Sequence, residues 1–172
     1  MTHGSRSSAA LAKRILDEFG ERLYNTALGL CGHAADAEDL AFRTIERGVE
    51  AYGGFDESRP LLPWLIAIMV NFRRMDLRRK SANALEFRDD IESLEIVDEQ
   101  TPADILDQEE NRAAIAAAVE RLDPDRRFLI LLRFYDELSV PEIAQVLGVP
   151  EGTVKSRLHA VLGELRKILS ND

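Results

Sequence analysis

The chain has 172 residues, of which 45% are hydrophobic, 31% charged and 6% aromatic. That is room for one mid-sized domain or two small ones, and too apolar for a disordered chain. No run reaches the ~20 apolar residues of a membrane span. The opening residues MTHGSRSSAALAKR lack the apolar stretch of a secretory signal, and the single cysteine, Cys31, excludes an internal disulfide and a cysteine-rich zinc site. The expectation is a cytoplasmic protein with no metal, no cofactor and no membrane insertion.

The formal net charge of -9 argues against nucleic acid only if it is spread evenly, and it is not. Residues 81–112 hold 2 basic and 11 acidic residues, so this segment equals the whole imbalance. Residues 65–80 carry Arg73, Arg74, Arg78, Arg79 and Lys80 against Asp76, a local net of +4. Salt screens charges beyond about 8 Å, so the local field decides what binds.

In chain order, helical periodicity is everywhere and alternating strand patterns are almost absent. A first helix is predicted from about Ser8 to Cys31, with Leu16, Phe19, Leu23, Ala27 and Leu30 as its apolar stripe and Gly32 as its C-terminal cap. A second runs from about Asp36, its expected N-cap, to Tyr52, where Gly53 and Gly54 break it. After the loop GGFDESRP, a third runs from about Leu61 to Lys80 with Pro63 in its first turn. Its segment LPWLIAIMVNF is apolar nearly all round, which places it at the centre of a small bundle, with Trp64 and Phe72 as core.

Periodicity then fades into an acidic stretch. Thr101 is expected to cap a further helix with a stripe of Ile115, Val119 and Leu122. Asp123-Pro124 restarts the chain into a helix over Arg126–Asp136, followed by helices at about Val140–Leu147 and Glu151–Leu169. The predicted fold is all-α: two small helical domains, 1–85 and 101–172, joined by an acidic linker at 86–100.

The segment SVPEIAQVLGVPEGTVKSRLHAVLGEL has the pattern of a helix-turn-helix. Ala144 is small enough for two helices to cross closely, Gly148 suits a left-handed turn, and Val154 pins the second helix to the first. Ser139 and Glu142 have the spacing of a capping box. Thr153, Lys155, Ser156, Arg157 and His159 are the expected exposed residues of the second helix, short or basic side chains of the kinds that contact phosphates and base edges. An ordinary helical hairpin with a solvated basic face is the plainer alternative. Cys31 and His33 have no ligand partners beside them and read as structural or incidental.

Two blocks extend the pattern: DAEDLAFRTIERG at 36–48 with PWLIAIMVNFRRMDLRRK at 63–80, then LDPDRRFLILLRFYDELSVPEIAQVLGVPEGTVKSRL at 122–158. In this order they resemble regions two and four of the extracytoplasmic-function (group four) sigma factors, the minimal branch of the sigma-70 family. The resemblance covers about residues 15–169. It implies a sigma factor that binds core RNA polymerase and directs it to promoter DNA, regulated by an anti-sigma protein, with catalysis left to the polymerase and no small-molecule substrate.

By the same resemblance, Asp36, Glu38, Asp39, Phe42 and Arg43 face the polymerase clamp. Phe42 and Arg43 stand where the family usually carries Gln and an acidic residue. Phe55, Asn71, Arg73, Arg74, Arg78 and Arg79 face the minus-ten element. Asn71 is equally readable as an amide bonded to backbone. Arg126, Arg127, Thr153, Lys155, Ser156, Arg157 and His159 face the minus-thirty-five element. Ala160, Val161 and Leu162 stand where many relatives carry arginine. Two other functions stay open: a sigma mimic that sequesters an anti-sigma protein, and a helix-turn-helix regulator that works without polymerase.

Overall fold

The computed structural model describes residues 3–80 and 112–170. The predicted acidic linker and the Thr101 cap lie outside the described residues. Among the described residues the fold is helical, without strands.

Helix α1 (His3–Cys31) and helix α2 (Ala34–Ala51) form an antiparallel pair. Ile15, Leu23 and Ala27 are fully buried, with Phe19 between them, so the stripe enters at Ile15. Leu16, expected on that stripe, is 59% exposed, because steps of four from Ala27 lead back to Ile15. Gly32 sits at φ 80 and donates its N–H to the Leu28 carbonyl at 2.8 Å, the expected left-handed cap. The start of α2 differs from expectation: His33 is the extended N-cap and Asp36 lies in the first turn. A carboxylate there still complements the positive helix end.

A short 3-10 turn (Tyr52–Gly54) leads into the loop before helix α3 (Leu61–Lys80). Leu62, Leu65, Ile66, Met69 and Val70 of α3 are buried. Gly48 of α2 permits this seating, since a Cβ there would lie 2.6 Å from Leu65 Cδ2. Trp64 and Phe72 pack against the core as expected.

The second half holds α4 (Arg112–Glu120), α5 (Pro124–Ile130), α6 (Val140–Leu147) and α7 (Glu151–Ser170). Asp123 caps α5 by accepting the Arg126 N–H at 3.0 Å. The predicted continuous helix over 126–136 instead widens into one π-helical turn (Leu131–Tyr135), closed by Asp136 N–H to the Leu131 carbonyl at 2.8 Å. Glu137 then takes φ 55, a left-handed conformation uncommon for a side-chain-bearing residue. Together these turns swing Asp136 inward, where it is 2% exposed.

The two halves share one buried cluster, with α1 packed on α5 and α3 packed on α6. Gly163 in α7 marks no close approach, since a Cβ there would meet nothing within 4 Å.

Candidate nucleic-acid interface

The helix-turn-helix forms as its residues require. Ser139 Oγ accepts the Glu142 N–H while the Glu142 carboxylate accepts the Ser139 N–H at 2.7 Å, so both ends of the capping box are closed. Gly148 takes φ 67, and the Val149 N–H reaches the Ala144 carbonyl at 3.1 Å. Val154 is fully buried and locks α7 against α6. Gly148→Ala is expected to cost about 1–2 kcal/mol, because a Cβ disfavours that conformation. A thermal melt checks this, with Gly152→Ala as the control at an open, ordinary helical position.

On α7 the exposed face holds Lys155 and His159, with Thr153 and Ser156 half-buried beside them. Ser156 Oγ donates to the Thr153 carbonyl at 3.0 Å. Arg157 is the exception to the predicted surface set: it is 7% exposed. Val154, Arg157, Leu158 and Val161 are spaced i, i+3, i+4, i+7, so helix geometry turns Arg157 inward with the core stripe. Asp125 is near enough to feel its charge. Burial, then Asp123, pushes the Asp125 carboxyl up, while Arg157 and Arg73 pull it down.

Arg126 and Arg127 are engaged within the second half. Arg126 pairs with Asp123 at 3.0 Å and with Glu164. Arg127 donates to the carbonyls of Val119, Glu120 and Leu122, capping the end of α4. Both are half-buried, so in this arrangement they act as structural clamps and are not laid out on the α7 face.

In the first half, Asn71, Arg78 and Arg79 are exposed along α3. Exposure of Asn71 leaves its amide accessible and disfavours the buried-amide reading. Arg73 and Arg74 are half-buried. Arg74 Nη2 donates to the Leu147 carbonyl at 2.5 Å, and burial, then Arg78, lowers its pKa. Phe55 is half-buried, its ring 4.8 Å from Trp64 and 5.7 Å from Tyr52. Phe55 and Trp64 border a cleft of about 300 Å³ whose far wall is Glu142, Gln145 and Val146 of α6.

The predicted α2 set divides between surface and interior. Glu38, Asp39 and Phe42 are exposed, Phe42 by 62%, and Asp36 is half-buried. Arg43 is held beneath them: it pairs with Asp76 at 2.8 Å and Asp39 at 3.2 Å, and lies 4.6 Å over the Phe72 ring. The Asp76 hydrogen bond is the main cause of its raised pKa. Arg43 thus ties α2 to α3 and leaves an acidic and aromatic surface outside.

Sequence reasoning missed one group. Arg22, Asn25 and Thr26 of α1 bond across to the second half: Arg22 Nη2 to the Asp136 carbonyl at 2.6 Å, Asn25 Nδ2 to Tyr135 Oη at 2.6 Å, and Thr26 Oγ1 to Asp136 Oδ2 at 2.8 Å. The only sequence signal is their spacing on one α1 stripe, separate from the apolar one.

Family comparison agrees with this two-part layout: Sigma-70 region 2 matches residues 15–83 and Sigma-70 region 4 matches residues 112–165. The chain belongs to the extracytoplasmic-function sigma factors of the sigma-70 family. It is 35% identical over 168 residues to the ECF RNA polymerase sigma factor SigL of Mycobacterium tuberculosis, covering 95% of this chain and 91% of the relative. It is 29% identical to the ECF RNA polymerase sigma factor SigW of Bacillus subtilis, covering 90% and 87%. Among solved structures, the sigma factor RpoE in complex with the anti-sigma factor NepR from Bartonella quintana aligns with TM-score 0.67 and 25% identity, over 93% of this chain and 97% of that one.

Proposed function

We propose that this protein binds core RNA polymerase and directs it to promoters, from the cytoplasm, under the control of an anti-sigma protein. The observation that carries this reading is the pairing of two different surfaces on one chain. Glu38, Asp39 and Phe42 offer an acidic and aromatic docking patch, suited to a basic partner. The α7 face with Lys155 and His159 sits on a fully capped helix-turn-helix. Phosphate contacts from that face give salt-dependent affinity, and each good base contact adds roughly 1–3 kcal/mol of discrimination. Exposed Asn71, Arg78 and Arg79 on α3 are the side chains for the minus-ten element. No catalytic residue is needed, since chemistry belongs to the polymerase.

Regulation by an anti-sigma protein rests on family membership and on the structural likeness to a sigma factor solved with such a partner.

Run-off transcription with purified core polymerase on fragmented genomic DNA tests the reading. Discrete starts that need this protein and share two upstream elements support it. Absence of both starts and core binding would sink it and favour a sigma mimic. Paired variants then separate the surfaces. Lys155→Ala with His159→Ala is expected to weaken promoter binding about tenfold or more while sparing core binding. Asp39→Arg is expected to do the reverse. Arg157 is left out of the pair because its burial would confound loss of contact with loss of packing.

A further inference from the structure

We propose that Arg126 positions the DNA-reading helix and touches no DNA itself: with Asp123 and Glu164 it forms an ionic brace behind α7 that fixes the tilt of the helix, and with it the reach of Lys155 and His159. This rests on the sigma-factor reading above, and it moves one residue that the family resemblance sets against the minus-thirty-five element from contact to support.

Three observations carry it. The first is where the brace attaches. Glu164 follows Lys155 by nine residues, about two and a half helical turns, so the two side chains leave α7 on opposite sides. His159 follows Lys155 by four and shares its exposed face. Glu164 instead continues the inward stripe of Val154, Arg157 and Val161. Arg126 of α5 pairs with it there, behind the face that is free to meet DNA.

The second is leverage. The turn at Gly148 and the buried Val154 fix only the start of α7. The helix runs on for 20 residues in all, and Glu164 lies about 15 Å beyond Val154 along its axis. Two anchors at that separation define a direction, which one anchor does not. Side chains that read base edges must be placed to within about 0.5 Å and 10–20°, so the tilt decides whether Lys155 and His159 arrive. Arg126 is itself held firmly. Its Nε lies 3.0 Å from the Asp123 carboxylate, and its backbone N–H donates to the same carboxylate at 3.0 Å. The arm that reaches Glu164 therefore starts from a capped helix end. Arg127, next in the chain, donates to the last carbonyls of α4 and joins that helix to the same base.

The third is the order of charges. Asp125 is followed by Arg126 on α5, and Arg157 by Glu164 on the inward stripe of α7. Arg126 meets Glu164. The Asp125 carboxyl, raised by burial and then by Asp123, is drawn back by Arg157 and Arg73. Exchanging the two contacts would set Arg126 on Arg157 and Asp125 on Glu164, like charge on like. The pattern thus admits one seating of α7 and penalises the other. Ion pairs as exposed as Arg126 and Glu164 add little to stability, so the brace acts on geometry more than on folding.

Charge reversals in the full chain test this: Arg126→Glu, Glu164→Arg and the two together. Each protein is loaded on core polymerase and titrated, across a salt series, with the promoter fragment that the wild type selects from genomic DNA and with a scrambled fragment. Hydrogen exchange along α7 is followed in the free chain. Each single reversal sets like charges together. It is expected to speed exchange over 160–170 and to cut promoter discrimination about tenfold, with a melting temperature close to that of the wild type. The double variant is expected to restore both to within about twofold and to keep the wild-type slope of log K against log salt. If Arg126 held a phosphate, the double variant would stay weak and its slope would be shallower by about 0.9. That result overturns the proposal, and so does unchanged exchange in the single variants. Glu164→Gln keeps the size and drops the charge, and is expected to act in the same direction should a reversal unfold α7. Exchange is read without DNA or polymerase, so a brace that responds as expected in a chain that selects no promoter would sink the sigma-factor reading and leave the brace standing.

Discussion

Asp136→Asn is expected to strengthen the packing of α1 on the 131–136 turn at neutral pH and to remove the part of its pH dependence that Asp136 supplies. Asp136 is buried against α1, and that burial pushes its carboxyl up from 3.8 to about 6, with the Thr26 hydrogen bond and Arg22 pulling only part of the way back. Arg22 Nε stays 3.6 Å from Oδ1, too far for a hydrogen bond, so it offsets only part of the desolvation. Once the halves separate, the carboxyl returns to water and to an ordinary value near 3.8. The packed form therefore binds the proton more tightly than the separated form. The packing has its full strength below about pH 4, where Asp136 is neutral in both forms, and weakens as pH rises through 6. The whole window is worth on the order of 3 kcal/mol, since each tenfold difference in proton affinity is worth about 1.4 kcal/mol. Moving from about pH 7.5 to about 5.5 samples part of it and is expected to favour the packed form by roughly fourfold. Asparagine keeps an acceptor for Thr26 and removes the charge, so its scattering profile should be compact and change less than the wild type's across that range. A wild-type profile that expands on acidification over this range would contradict the assignment of Asp136.

Phe128→Ala is expected to give the largest loss of stability, about 3–5 kcal/mol, as for other fully buried aromatic truncations. Phe128 is a large, completely buried side chain of α5, the helix that meets α1, α4 and α7. Its removal opens a cavity where both halves and the support of α7 converge. At about 2–4 °C per kcal/mol for a chain of this size, the melting temperature should fall by about 10 °C. Ile115→Ala, at a half-buried position on α4, should cost far less, since less apolar surface is lost from the core. Equal losses would mean that Phe128 is not the keystone its burial indicates.

The parts of the molecule legible in the sequence are those whose causes are local. Ser139, Glu142 and Gly148 act within a few residues of one another, and α6 spans Val140–Leu147 as the pattern predicts. Gly32 closes α1 for the same reason. Where a face has to be assigned by period alone, one step is enough to mislead. The period points to Leu16 where Ile15 is the buried residue, and it sets Arg157 outside although Arg157 lies on the Val154–Val161 stripe. The π-helical turn has no composition signature, so the sequence predicts a straight helix through Asp136. The clasp between Thr26 and Asp136 joins residues 110 apart in the chain, and no local pattern announces it. The acidic patch on α2 is legible as a set of charges, but the role of Arg43 is not, because its partner Asp76 lies 33 residues away.

The seat of Arg74 at the end of α6 bears on what a salt titration of DNA binding counts. Added salt displaces the protein from phosphates, and each phosphate contact steepens the fall of log K with log salt by about 0.9. The same ions screen Arg74 from the helix end and Arg73 from Asp125, which loosens the packing of the two halves. In the wild type the two effects oppose each other, so the measured slope understates the number of contacts. Only a chain whose halves are held apart yields the true count of phosphates touched.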